Sequence, residues 1–205
     1  MIPSTLSFTL HRTIIAGCRN SESQMRYFVD AEYKGFGGPL ISLALVPDEQ
    51  EALPFYEALP CANPKTWFAE HVLPVRQTLP ISRPEMTAKL AAYLRGDLEP
   101  IMIADWPEDI AHLTLLMVTG PRRRIPSPRL RFELLDVPLF DSETLSDVLH
   151  NVRYDAIALR AYVLAQELTV GTAARCRDQM TDMLHTLGSR RRTRAIQIIN
   201  AALAN

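Results

Sequence analysis

Two carboxylates, Asp30 and Glu32, lie two positions apart in RYFVDAEY, a run otherwise rich in aromatic and β-branched residues. Such a run reads as a strand, and alternation along it points both acids to one face, roughly 6.5–7 Å apart along the backbone. Like charges that close raise each other's pKa unless a cation lies between them, and a hard divalent ion held by carboxylate oxygen is one resolution. A strand end reaching water, with both acids hydrated, is the other. Asp105 and Asp109, in IMIADWPEDIAHL, flank the start of a helix that follows a short strand. Acids there serve equally as caps and as partners of the helix dipole. His150 and Asp155, in HNVRYDAIAL, open a further helix; a histidine can exchange protons near neutral pH or simply pack, and Asp155 can be a plain N-terminal charge. Taken in chain order these residues give D-x-E, then D, then H-x4-D, each acid following a strand or opening a helix.

The elements that must hold them follow from local pattern. RYFVDAEY is strand one, KGFGG a glycine turn, and PLISLALV a nearly continuous apolar run of the kind buried on both faces. LPFYEAL is a third strand. Helical spacing appears in PKTWFAEHVLPV, through Trp67, Phe68, Val72 and Leu73, and in RPEMTAKLAAYLRG, which Gly96 stops. PIMIA is a strand, DWPEDIAHLTLLMV a helix with proline near its start, and PRRRIPSPRLR (121–131) a proline-punctuated basic loop. FELLDVPLF is strand-like; SETLSDVLH opens with a capping box on Ser142 or Thr144. YDAIALRAYVLAQEL is an amphipathic helix. Strands first, then strands alternating with helices, indicate an α/β or α+β sheet protein. The expected division is an extension over 1–24, with Met25 as a possible true start, a domain over 25–168 and a helical appendage over 169–205.

Composition narrows the class. The 205 residues are 47% hydrophobic and 22% charged, ordinary for a globular chain. Twenty-two Lys and Arg against 23 Asp and Glu leave a net charge of −1, so any nucleic-acid role must rest on local basic patches. Three scattered cysteines, Cys18, Cys61 and Cys176, fit reduced cytosolic thiols rather than a disulfide framework or zinc site. No apolar run approaches the ~18 residues of a membrane span, so no membrane partner is expected. His11 and Arg12 interrupt the first apolar stretch, which argues against a signal peptide.

The ordered motifs resemble those of the DnaQ-like, DEDDh-type 3′–5′ exonucleases. Within them the chain looks most like the RNase AS branch of bacterial exoribonucleases, with RNase T a more distant relative. MRYFVDAEY, LISLALV, WFAEHVLP, EDIAHL and HNVRYDAIAL carry the likeness, over roughly residues 25 to 165. WFAEHVLP carries no chemistry in this reading; its similarity to the branch's Trp-containing helix is what favours RNase AS. The resemblance implies an RNase H-like α/β fold, a mixed five-stranded sheet flanked by helices. It matches Asp30 and Glu32 to the first motif, Asp109 to the second, and His150 with Asp155 to the third. Asp105 is a rival for the second motif; Asp109 is preferred because it precedes the apolar pair of the helix at the family's spacing. The four carboxylates would then hold two Mg²⁺ or Mn²⁺ ions about 3.5–4 Å apart, with His150 as general base. A cytoplasmic homodimer with a preference for adenylate-containing RNA is implied as well.

Strand recognition has its own set of residues. Tyr33, Phe36 and Trp106 flank the acids and fit either stacking on terminal bases or ordinary core and rim packing, the packing being favoured for Tyr33. Gly37 and Gly38 fit either a close nucleotide approach or a plain turn. Arg122, Arg123 and Arg124, with Arg129 and Arg131, form one basic cluster; Arg190, Arg191, Arg192 and Arg194 form another. On a near-neutral chain these suggest phosphate contacts, although a charge run is usually just a solvated face. The expected activity is thus removal of nucleotides from the 3′ end of single-stranded RNA. A DNA exonuclease is the alternative, since nothing reads a 2′-hydroxyl, and a catalytically silent nuclease fold that binds nucleic acid or a protein partner is a third.

Overall fold

The computed structural model describes residues 24–137 and 140–186. The arginine cluster at 190–194 and nearly all of the 1–24 extension lie outside them. Strand β1 (Arg26–Tyr33) pairs antiparallel with β2 (Leu40–Pro47), which pairs antiparallel with β3 (Phe55–Ala58). On its other side β1 runs parallel to β4 (Ile101–Ala104), and β4 parallel to β7 (Arg131–Leu134). The result is a five-stranded mixed sheet in the order β3-β2-β1-β4-β7. Every residue of β2 is buried, as its unbroken apolar run requires of a strand covered on both faces.

Helices cover the two faces differently. Helix α2 (Arg83–Tyr93), closed by a 3₁₀ turn over Leu94–Gly96, and α3 (Pro107–Leu116) pack Met86, Leu90, Leu113 and Leu116 on Tyr27, Val29 and Ala31. Long helix α5 (Val152–Thr186) lays Val152, Ala156, Leu159 and Val163 on Phe28, Ala44, Val46 and Ile103 of the opposite face. Each such Val, Leu, Ile, Phe or Met side chain fully withdrawn from water contributes about 1.5–3 kcal/mol. Two short helices complete the set, α1 (Thr66–His71) and α4 (Ser142–Leu145). Through Phe68, α1 covers Ile41 of β2.

Three expectations change. The expected helix ends at Leu116, and the expected loop over 121–131 is not plain loop at its start: β5 (Val118–Gly120) and β6 (Arg123–Arg124) form a small hairpin. Arg122 takes the positive φ of 57° at its bend, and buried Ile125 pins the strand that leaves it. The cap of α4 is Asp141 rather than Ser142 or Thr144; its carboxylate accepts from the Glu143 amide at 3.0 Å and the Thr144 hydroxyl at 2.6 Å. Lastly, α5 passes through 168 without a break, so the start of the expected appendage is the same helix continued.

Candidate active site

The alternation that turns Phe28 toward α5 turns Asp30 and Glu32 the same way, beyond the end of the apolar seam. Asp155 lies between Val152 and Leu159 on the sheet-facing stripe of α5, so it meets them from above. Asp105 follows β4 directly, and Asp109 stands in the first turn of α3, where the helix dipole favours an acid. All five line one cavity of about 470 Å³, together with Glu143 and His150. No lysine or arginine lines it among the described residues. Asp109 is the deeper of the two rivals, 2% exposed, with Asp105 partly buried at the cavity wall.

The electrostatics follow from crowding acids in a poorly hydrated space. Burial raises the Asp30 carboxyl well above its usual range, and the charges of Asp109, Asp155, Glu32 and Asp105 push the same way. Burial likewise raises Glu32 to about 8, with Asp155 adding to it. Asp109 is pushed to about 8, by burial first and then by Asp105, and Asp155 to about 6, again chiefly by burial. Asp155 Oδ1 is buried without a hydrogen-bond partner. Among the described residues no three acids, histidines or cysteines are arranged to hold a metal ion as they stand. The donor set nevertheless fits a hard divalent cation: carboxylate oxygens, an orphaned acceptor and no competing side-chain cation.

His150 occupies the cavity rim with φ +64°, a left-handed conformation that histidine adopts more readily than most residues. Its Nδ1 lies 3.6 Å from Glu32 Oε1. Desolvation, and then the neighbouring His71, lower its pKa below the ordinary histidine value, which keeps the ring neutral and able to accept a proton. Asn151 anchors the segment. Its side chain donates to the Val75 carbonyl at 2.6 Å and accepts from the Arg153 amide at 3.2 Å, capping α5.

WFAEHVLP does more than mark a helix. Trp67 lines the cavity, meets the His150 ring edge to face at 4.9 Å and stacks on His71 at 5.1 Å. Sequence inspection missed this because the Trp67–His150 pair spans the whole middle of the chain. Trp106 also lines the cavity and is 55% exposed. Phe36 is not in the cavity wall; it stands at the tip of the glycine turn, 94% exposed. Tyr33 is a packed residue, stacked on His112 at 4.5 Å. The turn geometry explains Gly38, since a Cβ there would lie 2.2 Å from the Lys34 carbonyl oxygen.

Arg122, Arg123 and Arg124 are not brought to the acids. They do not line the cavity, and they follow the far end of α3, which rises about 10 Å from Asp109 to Leu116. Arg129 and Arg131 are engaged, with Glu99 at 2.8 Å and Gln24 at 3.0 Å. No helix among the described residues is long and apolar enough to cross a membrane. Compared with known proteins, the chain matches no family model and no curated sequence.

Proposed function

We propose that the chain is a metal-dependent 3′–5′ exonuclease of RNase H-like fold, acting on single-stranded RNA. The observation that carries this reading is the cavity itself: Asp30, Glu32, Asp109 and Asp155 from three separate elements, with His150 beside them and no side-chain cation to balance them. Those four acids would hold divalent cations, with Asp105 in reach of the same space. Mg²⁺ or Mn²⁺, when bound, would activate a water and neutralise charge on the scissile phosphate and leaving oxygen.

The protein's own groups supply the remainder. His150, neutral and braced by Trp67, takes a proton from the attacking water. Asp30 and Glu32 pair with Ala44 and Ser42 of β2, on a strand that β4 holds from its other side as far as Phe28, so their backbone positions are set before any ligand arrives. Exposed Trp106 and Phe36 offer flat apolar faces next to the cavity mouth, suited to stacking on unpaired bases of any identity. The distant arginines of the β5–β6 hairpin would meet only the upstream part of a longer strand. A homodimer and an adenylate preference belong to the same proposal.

The test is a time course on 3′-labelled and 5′-labelled RNA and DNA oligomers, with Mg²⁺ or with EDTA. Loss of the 3′ label first, on RNA before DNA and only with the cation, is the expected result. Faster cleavage of DNA shifts the reading to a DNA exonuclease; binding without turnover in either cation leaves a binding module. His150→Ala is expected to lower kcat by roughly 10²-fold or more, the scale of a positioned general base. Divalent-cation binding, measured by calorimetry, stays within about twofold of wild type, because the four carboxylates remain. An unchanged kcat would remove His150 from the proton transfer.

A further inference from the structure

One acid at the cavity mouth is engaged in a way the metal cluster does not explain. Glu108, beside Asp109 in the first turn of α3, accepts three hydrogen bonds. Its Oε1 takes the Gly37 amide at 2.8 Å, and its Oε2 takes the Tyr33 hydroxyl at 3.0 Å and the Trp106 indole N–H at 3.3 Å. The partners come from the end of β1, from the glycine turn beyond it and from the loop that enters α3. Gly37 lies at φ +63°, and its amide is turned toward the helix. One helical turn further along α3, His112 stacks on the same Tyr33 ring at 4.5 Å.

A single carboxylate thus fixes the height of the turn that displays Phe36 and the orientation of the Trp106 indole. Both aromatics are largely in water, at 94% and 55% exposed, so packing does little to hold them. An exposed aromatic that must first be ordered binds a base less tightly than one already held, because the ordering entropy is charged to binding. We propose that Glu108 is a positioning residue for substrate: it clamps the lip of the cavity so that Phe36 and Trp106 meet the unpaired bases at the 3′ end. This rests on the exonuclease reading and assigns it an organising acid that does not take part in the chemistry.

The test combines kinetics with a substrate-free readout. With a single-stranded RNA oligomer and Mg²⁺, Glu108→Ala is expected to raise KM about tenfold while kcat stays within about twofold, since one charge-assisted anchor is lost and the catalytic acids are kept. Glu108→Gln should fall between the two: its amide oxygen still serves Gly37, but its NH₂ group opposes the Trp106 N–H. In a Trp67→Phe background, Glu108→Ala should shift Trp106 emission to longer wavelength and increase its quenching by iodide. An unchanged KM, or a fall in kcat with KM constant, overturns the proposal, whatever the fluorescence does. Unchanged Trp106 emission and quenching overturn the clamp itself. A wild-type chain with no turnover on RNA or DNA fails the nuclease reading, and with it the substrate role; Trp106 then reports separately whether the clamp exists.

Discussion

Asp30→Asn should abolish turnover while making the metal-free protein more stable, two effects of opposite sign from one atom pair. The loss is expected to exceed roughly 10³-fold, since residues one shell further from a metal already cost 10–100-fold when removed. The amide keeps the shape of the side chain and one oxygen, so the strand and its register persist. What disappears is a carboxylate whose ionisation is opposed by burial and by four neighbouring acids. In EDTA at pH 8 the variant therefore melts above the wild type; in Mg²⁺ the order narrows or reverses, because the wild type alone gains the full cation affinity. Activity within tenfold of wild type, or a variant melting lower in EDTA, would overturn the assignment of Asp30 to a metal cluster.

The second large effect is a stability profile that depends on both proton and cation. Glu32 and Asp109 are raised to about 8 and Asp155 to about 6, against ordinary values of 4.5 and 3.8. The folded chain thus binds more protons than the unfolded chain between those limits, so unfolding free energy falls as pH rises. Protonated, near pH 4, the cluster carries no penalty; above pH 8 it carries the whole of it. The sites titrate together, and the expected loss between pH 5 and pH 8 in EDTA is at least ~2 kcal/mol, or about 5 °C in melting temperature. Millimolar Mg²⁺ or Mn²⁺ should remove most of that slope. Calorimetric melts at pH 5, 6.5 and 8, with EDTA or with cation, decide the matter. A slope that cation leaves undiminished means that the acids hold no metal ion, and a flat profile under both conditions means that they are simply hydrated.

How much of this was readable beforehand depended on range in the sequence. The period-two pattern of RYFVDAEY put Asp30 and Glu32 on one face, and the unbroken run of LISLALV put its strand at the buried centre, because both follow from pleat geometry alone. The placement of Asp109 in the first turn of α3 and of Asp155 inside the apolar stripe of α5 was equally local. The β5–β6 hairpin was hidden by arginines and prolines that lack strand propensity, and it exists because Ile125 finds a buried site. Glu108's grip on Gly37 and Tyr33 joins positions 71 and 75 apart, a separation that no periodicity reports. Charge clustering likewise suggested the arginines at 122–124 as phosphate contacts, and it could not report that the length of α3 separates them from the acids.

The backbone of His150 has a bearing on selection. A side chain held at φ +64° costs about 1–2 kcal/mol relative to glycine, which is free of that penalty, while asparagine bears it more easily than most. A library randomised at this position and sorted for thermal resistance alone should therefore drift to glycine or asparagine. Sorted for turnover, it should return to histidine. The divergence of the two pools would measure, in sequence counts, how much fold stability this chain gives up to keep an imidazole at the mouth of its acidic cavity.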